Sequence, residues 1–331
     1  MALRNDLPVT TFSLVACDPQ TGDVGVAVAS KFLAVGAVVP WARAGVGAVA
    51  AQAWANTSYG PRGLDLLAAG KSPKEALDAL IQADNQAEHR QAGIVDAQGH
   101  SATWTGHECH SWAGGVAGPN FAAQGNILVS QDTVDAMVAT YLDLQGAGRG
   151  EMSEHLIAAL AAGQAAGGDS RGMQSAALLV VRAGGGYSGF NDRYIDLRVD
   201  DHPSPITELR RLLDLHQLYF QDSDPATLLP ISGETLEELR GLLRDSGFLP
   251  DPPATPDYDP ATAAAFTAFA ERENLEDRLT GDARLDPVVL SYLRRYTHGR
   301  HYADSRQSGP THLHLVRPSA GDATEPGEPT E

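Results

Sequence analysis

Cysteine is nearly absent from this chain: only Cys17 and Cys109 occur among 331 residues. Two cysteines cannot build a disulfide framework, so stability must come from a core, and a reducing, cytoplasmic setting is expected. Basic charge is scarce as well. Against 42 Asp and Glu stand 24 Lys and Arg, a formal net charge of −18. No net basic surface recruits phosphates, so neither nucleic acid nor an anionic membrane is an expected partner. Long apolar runs are missing too. The Ala/Val/Gly-rich stretch from Phe32 to Ala51 is interrupted by Pro40 and Arg43, whereas a membrane span needs ~18 to 20 apolar residues. The opening MALRNDLPVTTF has no apolar signal core. There is no Walker loop and no nucleophile elbow, and no cofactor is expected.

What is present suffices for a globular protein. Hydrophobic residues make up 43% of the chain, which excludes wholesale disorder. Length suggests roughly two domains. Residues 11–200 are rich in Ala, Gly and Val, and residues 203–300 in Leu, Arg, Asp and Pro. The last residues, from 304 on, lack hydrophobic periodicity and read as a disordered tail.

The first block opens with TFSLVAC, which alternates: Phe12, Leu14 and Ala16 share one strand face, Ser13, Val15 and Cys17 the other. The turn DPQTGD leads into VGVAVAS, so the pair reads as a hairpin. Val46–Ala53 is a further strand. One face of each later strand is mostly Gly and Ala, which lets another layer approach closely. A helix from near Pro61 to Gly70 comes next. A second begins at Ser72-Pro73-Lys74-Glu75, a capping box with Pro in the first turn. Strands are expected at 92–98, 101–106, 120–129, 174–182 and 193–199, and helices near 131–145, 153–165 and 205–219. Runs of hairpin-joined strands separated by helix pairs do not suit a parallel βαβ sheet. They predict an α+β fold with two mostly antiparallel sheets between helical layers.

Several groups carry chemistry. Thr10, Thr11 and Ser13 lie at the start of the first strand. Their hydroxyls either favour β structure or, at a freed chain terminus, form a nucleophile whose own α-amine is the base. Lys31 follows the hairpin's second strand, where a cation keeps such an amine neutral; it also suits an exposed loop. Ser30, just before it, is a substrate-binding candidate. Gly125 and Asn126 offer a backbone N–H and an amide to an oxyanion, or form a bulge. Asn56, Tyr59 and Arg62 cluster at a strand-to-helix junction and are substrate-binding candidates. Asn191 and Asp192 are candidates of the same kind, within a charge-dense run that also suits an ion-pair network. His107-Glu108-Cys109-His110 lacks a second cluster at a familiar metal spacing and reads as a solvated loop. GGGYSG, residues 184–189, reads as a turn.

The motifs TFSLVACDPQTGDVGVAVASKF, AVGAVVPWARAGVGAVAAQA, YGPRGLDLL, QAAGGDSRGMQSAALLVV and GGYSGFNDRYIDLRVDDH resemble the domain-of-unknown-function family 1028. The resemblance runs from Thr11 to about His216. It implies the N-terminal-nucleophile (Ntn) hydrolase fold, a four-layer α/β/β/α sandwich. It further implies a small amide or N-acyl substrate, with Thr11 as nucleophile, Lys31 tuning its amine and Gly125 and Asn126 as the oxyanion site. A homodimer or larger homo-oligomer is expected by the same resemblance. Family members typically begin with Met directly before the matching Thr, whereas here residues 1–10 precede Thr11: either this extension is cleaved, or translation starts later in the cell, or there is no N-terminal nucleophile. A non-catalytic small-molecule-binding protein on the same scaffold is the alternative. Residues 220–300 resemble a small helical peptidoglycan-binding-like domain, through LLPISGETLEELRGLLRDSGFL, DPATAAAFTAFAERENLEDR and LDPVVLSYLRRY. Three short helices and a peptidoglycan fragment as partner are implied. PDPPATPDYD stands where that domain's Gly-rich turn is usual.

Overall fold

A computed structural model describes residues 11–148 and 150–303. The expected extension, residues 1–10 with Thr10, and the expected tail beyond residue 303 lie outside the described residues. The chain divides into two compact units that meet between Gln217 and Leu218.

In the first unit the TFSLVAC and VGVAVAS runs form β1 (Thr11–Asp18) and β2 (Asp23–Ser30), paired antiparallel. Then come β3 (Pro40–Arg43), β4 (Gly47–Ala53), α1 (Tyr59–Ala68) and α2 (Pro73–Gln82). Four strands follow: β5 (Arg90–Asp96), β6 (Ser101–Thr105), β7 (Gly114–Gly118) and β8 (Phe121–Asn126). The unit ends with α3 (Asp132–Gly146), α4 (Met152–Ala165), β9 (Ser175–Val181), β10 (Arg193–Val199) and all but the last three residues of α5 (Pro205–Phe220). All pairings are antiparallel. One sheet has six strands in the order β10-β9-β2-β1-β8-β7, and the other four in the order β3-β4-β5-β6. Strand β1 therefore lies in the interior of the larger sheet.

The alternation in β1 sorts its side chains as the sequence predicts. Phe12, Leu14 and Ala16 join a buried cluster with Met137, Tyr141, Leu156 and Leu160 of α3 and α4. Val15 and Cys17 turn the other way, toward Ala48, Ala50 and Val95 of the smaller sheet. A third cluster sets Val49, Ala51 and Ile94 against Tyr59, Leu64, Leu77 and Leu80 of α1 and α2. Small residues permit these contacts. A Cβ on Gly93 would come within 2.0 Å of Gln124 Oε1, so the two sheets approach to the limit set by a bare backbone.

Local signals explain the helix ends. Ser72 Oγ accepts from the Glu75 amide at 3.3 Å, and Glu75 Oε2 accepts from the Ser72 amide at 2.9 Å. That reciprocal box starts α2. Helix α1 begins at Tyr59, two residues before the position expected from Pro61. Asn56 explains the earlier start: its Oδ1 accepts from the Ser58 amide at 3.2 Å and the Ser58 hydroxyl at 2.7 Å.

The second unit holds α6 (Gly233–Asp245), α7 (Pro260–Arg272) and α8 (Pro287–Ala303), with a two-residue ladder of β11 (Leu229–Pro230) and β12 (Arg284–Leu285). Leu236, Leu239, Leu243, Phe266, Phe269 and Leu293 are buried. Two buried arginines replace packing with hydrogen bonds. Arg240 donates to Thr255 O at 2.6 Å, to Asp257 O at 2.8 Å and to the Asp259 carboxylate. Arg278 meets Asp286 at 2.6 Å and also donates to Leu218 O and Gln221 O. Each guanidinium is paired and hydrogen-bonded, the condition under which a buried charge is tolerated.

Candidate functional site

The polar residues of the larger sheet gather at one end. Register aligns Asn126 of β8 with Thr11 of β1, Thr11 with Ser30 of β2, and Ser30 with Ser175 of β9. Directly opposed residues of antiparallel strands share a face, so these four form one row facing the smaller sheet. All four are buried. Thr11 Oγ1 lies 3.3 Å from Ser30 Oγ.

Behind the row stands a network of neutral amides spanning both sheets. Gln52 of β4 accepts from Ser13 Oγ at 2.6 Å and donates to Thr11 O at 3.3 Å and Gln91 Oε1 at 2.8 Å. Gln91 of β5 donates to Gly125 O at 2.7 Å and Thr105 Oγ1 at 2.9 Å. Gln124 Nε2 meets Ser13 Oγ at 2.7 Å. One amide hydrogen of Asn126 goes to Gln91 Oε1 at 2.9 Å. Five side chains, Ser13, Gln52, Gln91, Gln124 and Asn126, are no more than 1% exposed. Burying so many polar groups is tolerable only because they satisfy one another.

Backbone strain marks the same end. Ala53, directly after Gln52, has φ of 65°, and Ile127, directly after Asn126, has φ of 52°. Left-handed backbone is unusual for alanine and more so for a β-branched side chain, at a cost of about 1–3 kcal/mol each. Ile127 is held there at both sides: its amide donates to His110 O, and its carbonyl accepts from Ser170 N, each at 3.0 Å.

Lys31 follows Ser30 at the rim. Its backbone amide donates to Asp169 Oδ2 at 2.9 Å, and its exposed Nζ to Met173 O at 3.1 Å. The buried Asp169 carboxylate also takes Arg171, whose Nη2, 3.1 Å from Asp169 Oδ2, donates as well to Lys31 O at 3.0 Å. The turn after β2 is thereby clamped.

The other sequence candidates lie elsewhere. Asn56 and Tyr59 stand on the outer side of the smaller sheet, with Asp84 and Arg90. Asp84 Oδ2 accepts from Asn56 Nδ2 at 2.9 Å and Arg90 Nε at 3.0 Å. Burial raises the Asp84 carboxyl, but hydrogen bonds from Asn56, Arg90 and the Gln86 amide outweigh it and hold it at about 2. Burial and the Asp84 charge push the Tyr59 phenol well above its usual range. Arg62 is exposed on α1. Asn191 and Asp192 are exposed in the β9–β10 connection, at the Val181 end of β9, whereas Ser175 and the Thr11 row mark its other end. Six residues of strand separate the two ends, about 20 Å. Gly125 opposes Phe12, one position off the Thr11 row, and its carbonyl is taken by Gln91.

Sequence reading did not single out Gln52 or Gln91. Nothing local distinguishes them from surface glutamines; the one signal is their place in otherwise apolar strands, GAVAAQA and RQAGIVD. Burial, with the charges of Asp96 and Asp18, pushes the Cys17 thiol up to about 12, and burial pushes Cys109 to about 11. Neither forms appreciable thiolate at neutral pH.

The model of the family of unknown function DUF1028 matches residues 11–209, and the chain belongs to that family. The family described as "Putative peptidoglycan binding domain" matches residues 219–293. Among solved structures, the crystal structure of protein SPO2555 from Silicibacter pomeroyi, assigned to the same DUF1028 family, is similar. It shares 31% identity, covers 63% of this chain and 86% of that one, and superposes with a TM-score of 0.56. A search of curated proteins finds no match. Among the described residues, no helix is long and apolar enough to cross a membrane.

Proposed function

We propose that the first unit is a four-layer α/β/β/α sandwich of the Ntn-hydrolase type and that it hydrolyses a small amide or N-acyl compound. The observation that carries this reading is the position of Thr11. It is the first described residue of an interior strand, and it faces a second sheet between the Ser30 hydroxyl on one side and the Asn126 amide on the other. An Ntn nucleophile needs that position. Cleavage before Thr11 frees an α-amine next to the hydroxyl, and a reference pKa near 8 suits that amine as a base at neutrality.

The Thr11 hydroxyl then attacks the carbonyl carbon and gives its proton to its own amine. The second amide hydrogen of Asn126 meets the oxyanion, together with the Gly125 region of β8. The amine protonates the departing nitrogen, leaving an ester on Thr11 that water hydrolyses. Lys31 contributes positive charge near the strand end, which disfavours protonation of the amine. Ser30 bonds the nucleophile through its hydroxyl.

Intact mass and N-terminal sequencing of the purified full chain test this. A chain beginning at Thr11 supports the mechanism, and Thr11→Ala should then abolish turnover in an amide-substrate screen. A chain that keeps the residues before Thr11 and still turns over substrate overturns it.

A second reading concerns the C-terminal unit. Its family match favours binding of a peptidoglycan fragment. Co-sedimentation with insoluble peptidoglycan should retain the full chain and lose a chain ending at Gln217.

A further inference from the structure

Asp18, at the far end of β1 from Thr11, borders a cavity of about 500 Å³. From Thr11 to Asp18 the strand runs eight residues, about 23 Å, so this cavity is distinct from the hydroxyl row. Helices α3 and α4 supply Tyr141, Gln145, Met152 and His155 to its wall, and Asn120 of the β7–β8 turn joins them. Its volume is that of a site for a small metabolite.

Tyr141 is the unusual member. It is 1% exposed, and its ring packs 5.6 Å from Phe121 and 6.2 Å from His155, centroid to centroid. Yet among the described residues its hydroxyl has no hydrogen-bond partner. A buried phenol ordinarily finds one, and phenylalanine would fill the same volume without the polar cost. Burial, with the charges of Cys17 and Asp18, pushes the phenol well above its usual range. It therefore stays protonated, a fixed O–H donor at the cavity wall.

Asp18 supplies the complementary group. Its Oδ1 accepts from the Gln20 amide at 2.8 Å, which orients the carboxylate, and its Oδ2 has no partner among the described residues. One half-buried carboxylate oxygen and one buried O–H thus face the same space, with the amides of Asn120 and Gln145 beside them. A ligand that satisfies both ends carries a cationic donor and an oxygen acceptor.

We propose that this cavity binds a small hydroxylated primary amine, an amino alcohol or amino sugar. The ammonium meets Asp18 Oδ2, and a hydroxyl oxygen of the same molecule accepts from Tyr141. The site stands apart from the proposed reaction at Thr11 and does not depend on it.

Titration calorimetry of the full chain at pH 7 with glucosamine, glucose and glucuronate tests the proposal, because the three share a hexose framework and differ in charge. Glucosamine should bind, glucose about tenfold more weakly, and glucuronate not at all. Asp18→Asn should erase the preference for glucosamine over glucose. Tyr141→Phe keeps the ring and loses no partner within the chain, so its thermal melt should be unchanged while glucosamine binds about fivefold more weakly. Thr11→Ala should bind glucosamine as the wild type does, which separates this cavity from the strand's other end. Failure of glucosamine to bind overturns the proposal. So does equal binding of glucose, tighter binding of glucuronate, or an affinity indifferent to both Asp18→Asn and Tyr141→Phe.

Discussion

The space between the two sheets has two ends built from different materials. At one end Val15, Cys17, Val24, Val26, Ala48 and Val95 pack in one apolar cluster. At the other, Ser13, Gln52, Gln91, Gln124 and Asn126 hold the sheets by hydrogen bonds. A dry core needs only volume, and neighbouring residues substitute for one another with modest cost. A polar core needs every partner in place. Stability alone calls for the first kind, so the second is the end where position matters, and Thr11 is there.

The dry end breaks most severely under a polar intruder. Val26→Asn loses a buried apolar side chain and leaves an unpartnered amide among valines. Urea denaturation should show a loss of about 4 kcal/mol, large against the stability of an ordinary domain. The polar end breaks under the reverse change. Gln91→Leu leaves Gly125 O, Asn126 Nδ2 and Gln52 Nε2 each short of a partner, and a loss of about 3 kcal/mol is expected. If Gln91→Leu is neutral instead, the network has no structural role.

The third experiment separates neutral from charged polar contacts. The amide network carries no titrating group, so its contribution should not change with pH. Asp84 differs, for its folded pKa of about 2 lies below the ordinary 3.8. The stability it adds is complete above about pH 5 and is lost as pH falls through the folded value, in all about 2 kcal/mol. Asp84→Asn should flatten that part of the stability–pH curve and leave neutral-pH differences among network variants unchanged.

Much of the fold was legible because the local signals agree with the global one. Alternation gave the β1–β2 hairpin and the destination of each face. The Ser72–Glu75 box gave the start of α2 to the residue. Strands β3 and β7 were not legible. The first starts with Pro40 and the second is GGVAG, and both lie at sheet edges, where low strand propensity is tolerated. At the candidate site, Asn126, Ser30 and Thr11 come together through register, which a single sequence does not display. Asn191 and Asp192 read as companions of that site because their segment is dense in polar groups. The strand order sends them to the opposite end, where they border a pocket walled by Ala42, Ala44, Leu179 and Val181.

The Pro-rich segment between α6 and α7 has the composition of a linker, the kind of chain that proteases select and that exchanges amide hydrogens quickly. One guanidinium changes its standing. Arg240 fastens the segment at Thr255, Asp257 and Asp259, and Asp259 in turn starts α7 by accepting from the Thr262 amide at 2.9 Å. The segment thus unfolds with the helices it joins rather than before them. A unit of three short helices thereby holds its connecting chain in place through one side chain, without a longer helix or a larger core, although Asp251, Ala254, Pro256 and Asp257 stay exposed.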